Sequence, residues 1–265
     1  MNFDAVREPC IGVFDSGVGG LSVLDALRRR LPRVALAYIG DVAHAPYGER
    51  SAPDVIERCQ RLVAHLVGLG ATTIVVACNT ATVLGIDAMR RDWPALRFVG
   101  VEPGVKPAVA ATRTRRVAIM ATPATAASAR LRHLIEEFAR DTHVHVEACK
   151  GLAATIERGV QAGPELLAVL EPLCARIRAA GVDTVVLGCT HYPFVADAIR
   201  AQLGDSMHLI DTASAVAERV SVVHGDSRDG SASLRVLSTG MTGPMQQLMQ
   251  RCRGLQPVSV EHLPI

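Results

Sequence analysis

Aromatic residues, long apolar runs and an excess of charge are all scarce in this chain. Its 265 residues are 3% aromatic and 49% hydrophobic, so small and branched aliphatic side chains must fill the core. A formal net charge of +2 is too small to indicate a nucleic-acid-binding surface. No stretch approaches the roughly 18 uninterrupted apolar residues that a membrane span needs. We therefore expect neither a nucleic-acid partner nor a membrane partner.

Two cysteines separated by only two residues, the spacing typical of metal and redox sites, do not occur in this chain. The seven cysteines form an odd count without a CxxC pair, which argues against a disulfide framework and a structural zinc site. Charged residues near the N-terminus, without an apolar signal region, predict a soluble cytoplasmic protein. Inert packing in the core is the expected role of Cys10, Cys59, Cys149, Cys174 and Cys252.

Two segments of the chain repeat each other, and each contains a cysteine at the same place. Residues 70–80 align without a gap with residues 181–191, and Gly, Thr, Val and Cys recur at matching positions. Both runs are β-branched and apolar, which predicts buried parallel strands that end near Cys78 and Cys189. Ligands bind outside the carboxyl ends of such strands. Two facing halves would present two thiols to one cleft, which suits removing a proton from one face of a carbon and returning it to the other.

Strands and helices alternate along the chain, and the order begins again after about residue 115. This pattern predicts two similar open α/β domains with mostly parallel sheets, related by a pseudo-twofold axis, with the active site in the cleft between them. The last strand and helix, near residues 233–237 and 244–252, have no counterpart in the second half. We therefore expect residues 1–100 plus 211–265 to form the first domain and residues 101–210 the second.

The surroundings of the repeated cysteines favour reactivity over packing. An unperturbed thiol with a pKa of about 8.5 is mostly protonated at neutral pH, and a helix N-terminus lowers that value. We expect hydrogen-bond donors from Asn79-Thr80 and Thr190-His191, and a helix from about residue 84 to 91. A two-base reaction needs one sulfur as thiolate and the other as thiol.

Polar residues at other strand ends have both a structural and a catalytic interpretation. Asp15-Ser16 fits a helix cap, or a carboxylate that faces the cleft near the first thiol. His191 fits a satisfied half-buried histidine, or a general acid or neighbour of a substrate ammonium group in the loop after Cys189. Tyr47-Gly48 fits a turn or a loop that positions a carboxylate, and Thr122 fits an N-cap or a hydrogen-bond donor in the cleft, as does Thr125.

The glycine loop after the first strand also suggests a dinucleotide site. Gly17-Val18-Gly19, with Asp41 ending the next strand, matches part of that fingerprint. Ser22 occupies the place of the third glycine, however, and a dinucleotide site leaves the repeated cysteines unexplained. We therefore expect no nicotinamide cofactor.

Taken together, these motifs resemble those of the glutamate racemases, within the cofactor-independent amino-acid racemase superfamily. Matches extend over about residues 10–252, and the matching segments are 11–20, 40–41, 46–48, 77–81 and 187–193. The repeated cysteine motifs mark the superfamily, whereas the Asp-Ser-Gly loop, Pro-Tyr-Gly and Cys-Thr-His-Tyr-Pro are more specific to the glutamate enzymes. The resemblance implies interconversion of L- and D-glutamate without pyridoxal phosphate or metal, to supply D-glutamate for peptidoglycan and cell shape. It also implies a possible homodimer.

The resemblance assigns roles to particular residues. Cys78 would abstract a proton from D-glutamate and Cys189 from L-glutamate, assisted by Asp15 and His191 respectively. Asp41 and Glu157 would support the site as acidic groups. The residues that would hold the charged ends of the substrate are Asp15, Ser16, Tyr47, Gly48, Asn79, Thr80, Thr122, Thr190 and His191.

The chain differs from typical family members in one segment, and two alternative functions fit the same motifs. Residues 150–154 lack the proline-containing run that the family usually has, which weakens the transfer of the role to Glu157. The chain also lacks the N-terminal extension of members activated by a peptidoglycan precursor, so we expect no such dependence. The rivals are a racemase of aspartate or another small acid, and a non-catalytic binding protein of the same fold.

Overall fold

The computed structural model describes residues 10–225, 231–255 and 258–265. The charged N-terminal residues on which the expected location depends lie outside this part. The β-strands are Cys10–Asp15 (β1), Leu36–Gly40 (β2), Ala71–Val76 (β3), Arg97–Gly100 (β4), Arg116–Ala121 (β5), His143–Ala148 (β6), Thr184–Leu187 (β7), His208–Ile210 (β8), Leu234–Ser238 (β9) and Val260–His262 (β10). The α-helices are Leu21–Arg30 (α1), Ala52–Gly68 (α2), Asn79–Asp92 (α3), Val105–Ala111 (α4), Pro123–Ala126 (α5), Ala129–Phe138 (α6), Leu152–Glu157 (α7), Pro164–Ala179 (α8), Ala196–Leu203 (α9), Ala213–His224 (α10) and Gly243–Met249 (α11). Short 3-10 helices span Val42–His44, Tyr47–Glu49, Tyr192–Val195 and Arg253–Leu255.

The strands form two parallel sheets with the same internal order. The first sheet runs β10-β9-β2-β1-β3-β4 and the second runs β6-β5-β7-β8. The order β2-β1-β3-β4 therefore recurs as β6-β5-β7-β8, and the repeated segments occupy the equivalent strands β3 and β7. The predicted fold class is confirmed. The C-terminal strands β9 and β10 return to the first sheet beside β2, while the domain limits at residues 100 and 210 stay a prediction.

Helices cover both faces of each sheet, which explains the continuous apolar runs of the strands. All residues of β1 are buried, and successive side chains point to opposite faces. Ile11 and Val13 pack in the cluster that contains α1 and α10, whereas Phe14 packs in the cluster under α2 and α3. In the second sheet, α7, α8 and α9 cover one face, and α4 and α6 cover the other. No helix in the described ranges is long and apolar enough to cross a bilayer.

The helix after β3 begins earlier than the sequence predicts. It starts at Asn79 instead of near residue 84, because Cys78 itself caps it. Cys78 has an extended backbone, and its Sγ accepts a hydrogen bond from the Ala81 N–H at 3.4 Å. The first turn, Asn-Thr-Ala-Thr, has weak helix propensity, so burial against the rest of the protein determines its conformation.

Candidate active site

Two cysteines from different sheets line one enclosed cavity. Cys78 follows β3 and Cys189 follows β7, and both residues are at most 6% exposed. The cavity is also lined by Ser16, Pro46, Tyr47, Gly48, Asn79, Thr80, Thr122, Ala153, Thr190 and His191. This set contains every residue that was predicted to hold substrate except Asp15, which lies behind the wall.

The thiol of Cys78 connects to Asp15 through one hydroxyl group. Cys78 Sγ donates to Ser16 Oγ at 3.6 Å, and Ser16 Oγ donates to Asp15 Oδ1 at 3.3 Å. Asp15 Oδ1 also accepts the Gly17 N–H at 2.8 Å. Helix α1 has Gly20 as its N-cap without a side-chain cap, so Asp15 and Ser16 do not serve as its cap. Ser16 lines the cavity, and Asp15 lies directly behind it.

Burial dominates the acid–base properties of this side of the cavity. Burial, with a smaller contribution from the nearby Asp15, raises the pKa of Cys78 to about 12, although the Ala81 N–H and the Ser16 hydroxyl act to lower it. Burial also raises the pKa of Asp15 above its usual value. The expectation that a helix N-terminus leaves this thiol with a lowered pKa was therefore wrong. Cys78 is protonated at neutral pH.

The other cysteine faces a histidine that is paired with a carboxylate. His191 Nδ1 lies 3.6 Å from Cys189 Sγ, and His191 Nε2 lies 2.6 Å from Glu157 Oε2. Burial alone would lower the pKa of His191, but the contacts with Cys189 and Glu157 raise it well above its usual value. The two sulfur atoms thus have different neighbours, a hydroxyl group linked to a carboxylate beside Cys78 and an imidazole beside Cys189.

Glu157 reaches this position despite the altered segment that precedes it. It is the last residue of α7, which begins after Gly151 in the left-handed region at φ 78°. Its carboxylate contacts His191 in the second half and also accepts the Val18 N–H from the first half, at 3.0 and 3.2 Å. The structure therefore brings Glu157 into the candidate site.

Further hydrogen bonds join the two halves across the cleft. Thr190 Oγ1 donates to Asp15 Oδ2 at 2.9 Å, and the hydroxyl groups of Thr80 and Thr122 are 2.9 Å apart. Thr122 also caps α5 by accepting the Thr125 N–H, so its expected role as an N-cap is confirmed, while its role as a donor to substrate stays a prediction. Gly19 permits the close approach, because a Cβ there would overlap His191 Nδ1 and Thr190 Oγ1.

Asp41 lies outside the cavity, where it anchors the loop that forms one wall. Arg58 donates to both carboxylate oxygens at 3.0 and 2.7 Å, Tyr47 Oη donates at 2.5 Å, and Thr239 Oγ1 donates at 2.8 Å. Burial would raise the pKa of Asp41, but these donors hold it below its usual value. The Tyr47 hydroxyl is thus bound to Asp41, and the rest of the residue forms the cavity wall.

The sequence analysis did not identify Arg58 or Thr239 as partners of Asp41, although the sequence around Arg58 indicates a buried partner. Arg58 lies on the buried face of α2, three residues after Val55 and four before Leu62. A charged residue in an apolar stripe indicates a buried partner, because burying an unpaired charge is costly. Thr239 follows β9, which returns from the C-terminal part of the chain, and no local pattern marks it.

Asn79 has an unusual hydrogen-bonding state. It is 2% exposed and lines the cavity, yet neither its amide nitrogen nor its amide oxygen has a partner among the described residues. An unsatisfied buried amide costs about 1–3 kcal/mol. Such a group is suited to bind the polar end of a small ligand.

Comparison with known proteins gives a consistent result. A family model described as Asp/Glu/Hydantoin racemase matches residues 11–220. A glutamate racemase of Pseudomonas aeruginosa (strain UCBPP-PA14) is 48% identical over 216 residues, which cover 82% of each chain. The glutamate racemase isoform of Bacillus anthracis is similar in structure with a TM-score of 0.87, at 29% identity over 98% of each chain. The Escherichia coli glutamate racemase in complex with L-glutamate and an activator has a TM-score of 0.85, at 30% identity over 97% of this chain and 98% of that one.

Proposed function

The chain belongs to the Asp/Glu/hydantoin racemase family, and from that membership we propose that it interconverts L- and D-glutamate with Cys78 and Cys189 as the two bases. The observation that carries this proposal is the position of both sulfur atoms on the wall of one enclosed cavity. A two-base racemase needs one proton acceptor and one proton donor on opposite faces of the same carbon. Two thiols that reach the cavity from different sheets are suited to these two roles.

In the direction from L- to D-glutamate, Cys189 acts first. Cys189, whose Sγ lies 3.6 Å from His191 Nδ1, takes the proton from Cα as a thiolate. Cys78, a thiol because of its burial, then donates its proton to the opposite face of Cα. The bond from Cα to hydrogen breaks on one side and a new one forms on the other, so atoms and charge balance.

In the direction from D- to L-glutamate, the roles are exchanged. Cys78 must first become a thiolate, and its link through Ser16 to Asp15 offers a route for the proton. Asp15 is suited to hold a proton because its burial raises its pKa. The small size of the cavity leaves little room for water to compete for the proton.

The polar groups around the cavity support a substrate with charged ends. Asn79 offers an unpaired amide, and the hydroxyl groups of Ser16, Thr80, Thr122 and Thr190 lie around it. We assign these residues to the ammonium and carboxylate groups of glutamate. Gly48 belongs to the same wall and packs closely on Thr122, since a Cβ at this position would overlap the Thr122 side chain.

Purified protein incubated with L-glutamate without added cofactor tests this function. We expect D-glutamate to accumulate until the optical rotation reaches zero, with much slower conversion of L-aspartate under the same conditions. When the enzyme is first equilibrated in deuterium oxide, the product of the first turnover should contain deuterium at Cα. A folded protein that leaves L-glutamate unchanged, or that retains the original hydrogen in the product of the first turnover, contradicts the two-base proposal.

We also propose that the product supplies peptidoglycan synthesis in the cytoplasm. The support is the resemblance to glutamate racemases over most of the chain. Expression of the chain in a bacterial strain that requires D-glutamate should allow growth without that supplement, whereas a Cys78→Ser, Cys189→Ser double variant should not. Growth with the double variant contradicts this role. The expected homodimer stays a prediction.

A further inference from the structure

A two-base racemase must reset its own protonation state after each turnover, and this requirement rests on the proposed function. Conversion of L- to D-glutamate leaves a proton on Cys189 and removes one from Cys78. Before the next L-glutamate reacts, one proton must return to Cys78. Both sulfur atoms are buried, so direct exchange with bulk water is restricted.

A chain of hydrogen bonds leads from Cys78 along the wall of the cavity. Cys78 Sγ lies 3.6 Å from Ser16 Oγ, which lies 3.3 Å from Asp15 Oδ1. The second oxygen of that carboxylate, Oδ2, accepts the hydroxyl of Thr190 at 2.9 Å. Ser16, Asp15 and Thr190 are all buried. The first part of the chain thus crosses from the first half of the molecule to the second.

The same threonine continues the chain to the second sulfur. Thr190 Oγ1 lies 3.5 Å from His191 Nδ1, and this nitrogen lies 3.6 Å from Cys189 Sγ. Hydroxyl hydrogens rotate to suit either neighbour, and the imidazole accepts or donates at Nδ1 according to its protonation. Thr190 is therefore the link between the Asp15 side and the His191 side.

We propose that this chain is a proton relay that returns the proton from Cys189 to Cys78 between turnovers, with Thr190 as its central link. Thr190 and Ser16 thereby gain a role in addition to contact with substrate. The relay lies in the wall, so it does not require water to enter the cavity.

Each step of the reset is balanced. His191 gives its Nδ1 proton to Thr190 and takes the thiol proton of Cys189. Thr190 passes its hydroxyl proton to Asp15. Asp15 passes a proton to Ser16, and the hydroxyl proton of Ser16 goes to the Cys78 thiolate. Every group between the sulfur atoms takes one proton and gives one, so only Cys189 and Cys78 change charge.

Tracer perturbation measures this reset. The enzyme is equilibrated with radiolabelled racemic glutamate, and a large excess of unlabelled L-glutamate is then added. If the reset is slow, the enzyme accumulates in the form that reacts with D-glutamate, and the labelled D-to-L ratio falls below one. If the reset is fast, the ratio stays at one.

Thr190→Val breaks the relay with little change of shape, and Thr190→Ser is the matched control that keeps the hydroxyl. We expect the labelled ratio to stay at one for the wild type and for Thr190→Ser, and to fall below one for Thr190→Val. Weaker glutamate binding raises KM without moving this ratio, so the assay separates the relay from substrate contact.

Two outcomes overturn the relay. One is that active Thr190→Val keeps a labelled D-to-L ratio of one at saturating L-glutamate. The other is that this ratio falls as far in the wild type as in Thr190→Val. If Thr190→Val does not racemise, Ser16→Ala removes the other hydroxyl link, and its ratio decides in the same way. A wild-type protein that does not racemise glutamate refutes the proposed function instead, and this is seen before any label is added.

Discussion

The two sulfur atoms occupy equivalent strand ends but have different chemical surroundings. Cys78 is near a carboxylate, and burial raises its pKa, whereas Cys189 is near an imidazole whose pKa is raised. The repeat in the chain therefore supplies two similar thiols, and residues from elsewhere in the fold give each thiol different neighbours.

Replacing either cysteine should remove one of the two bases. We expect Cys78→Ser and Cys189→Ser each to lower the racemisation rate by about 10²–10⁴-fold, the usual contribution of a positioned acid or base. Polarimetry measures the rate, and circular dichroism checks the fold. Cys252→Ser is the matched control, because Cys252 is buried and is not part of the cavity wall. A single variant with the wild-type rate removes that cysteine from the mechanism.

Glu157→Gln should change the pH dependence of the reaction. Loss of the carboxylate lowers the pKa of His191, so activity toward L-glutamate should decline at a lower pH than in the wild type. The control is Glu165→Gln, since Glu165 is an exposed partner of Arg158. Profiles of kcat/KM against pH give the result. An unshifted alkaline limb contradicts the role of Glu157.

Glu157→Gln should also change how the stability of the fold depends on pH. The pKa of His191 is higher in the folded protein than its ordinary value of 6.5. Its protonation therefore contributes fully to the free energy of unfolding below about pH 6.5, and this contribution is lost as the pH rises through the folded-state pKa. Glu157→Gln should therefore reduce the fall in the free energy of unfolding as the pH rises. Urea unfolding at several pH values measures this fall.

The Arg58–Asp41 pair should matter for both stability and binding. Arg58→Met leaves a buried carboxylate without its main partner, which costs about 3–5 kcal/mol of unfolding free energy. We also expect KM for glutamate to rise, because Asp41 holds Tyr47 in the cavity wall. Urea unfolding and steady-state kinetics test this. Arg61→Met on the same helix removes only an exposed pair with Glu57, so both quantities should change little. Equal effects of the two substitutions would refute the prediction.

At the scale of elements, equivalent strands lead to different structures. Strand β3 continues into α3 through Cys78 as N-cap, whereas β7 is followed by a 3-10 helix at Tyr192–Val195. The sequence predicts both strands well because each is a continuous apolar run. It places the start of α3 too late, because polar residues in the first turn resemble a loop.

The loop between β1 and α1 should tolerate no side chain at Gly19. A Cβ there overlaps His191 and Thr190, so Gly19→Ala should lower activity by at least about 100-fold, since misplaced groups of this kind cost that much. Gly68→Ala is the control: nothing lies within 4 Å of a Cβ at that position, and its activity should equal that of the wild type. Wild-type activity in Gly19→Ala means that the loop adapts.

At the scale of the whole molecule, we expect the two halves to separate for a substrate to enter. The cavity has room for about one water molecule, far less than an amino acid needs. Such an opening would break the bonds of Thr190 with Asp15, of Glu157 with Val18 and of Thr80 with Thr122, so the proposed relay operates only in the closed form. Each such bond contributes about 0.5–1.5 kcal/mol net, so opening is accessible at room temperature.

Hydrogen exchange tests this opening. We expect the amides of residues 17–20 to exchange through the open form, and to exchange more slowly once glutamate is bound and closure is favoured. Amides in the centre of β5, which is not part of the cleft, serve as the reference. Identical exchange of residues 17–20 with and without glutamate contradicts an opening linked to binding.

The sequence by itself determined the fold class and the pair of candidate bases. Both follow from local patterns: apolar runs bounded by glycine predict parallel strands, and a cysteine at the same place in two runs predicts two thiols at strand ends. The Asp-Ser-Gly loop was found in the same way, because its residues are contiguous.

Only the tertiary structure decided how these groups are ionised and linked. Val18 and Glu157 are 139 residues apart in the chain, and Asp15 and Thr190 are 175 apart, so no local pattern predicts their contacts. Burial likewise belongs to the whole molecule. The capping of α3 by Cys78 is a local effect that lowers the pKa of the thiol, but desolvation by the surrounding protein exceeds it and raises the pKa.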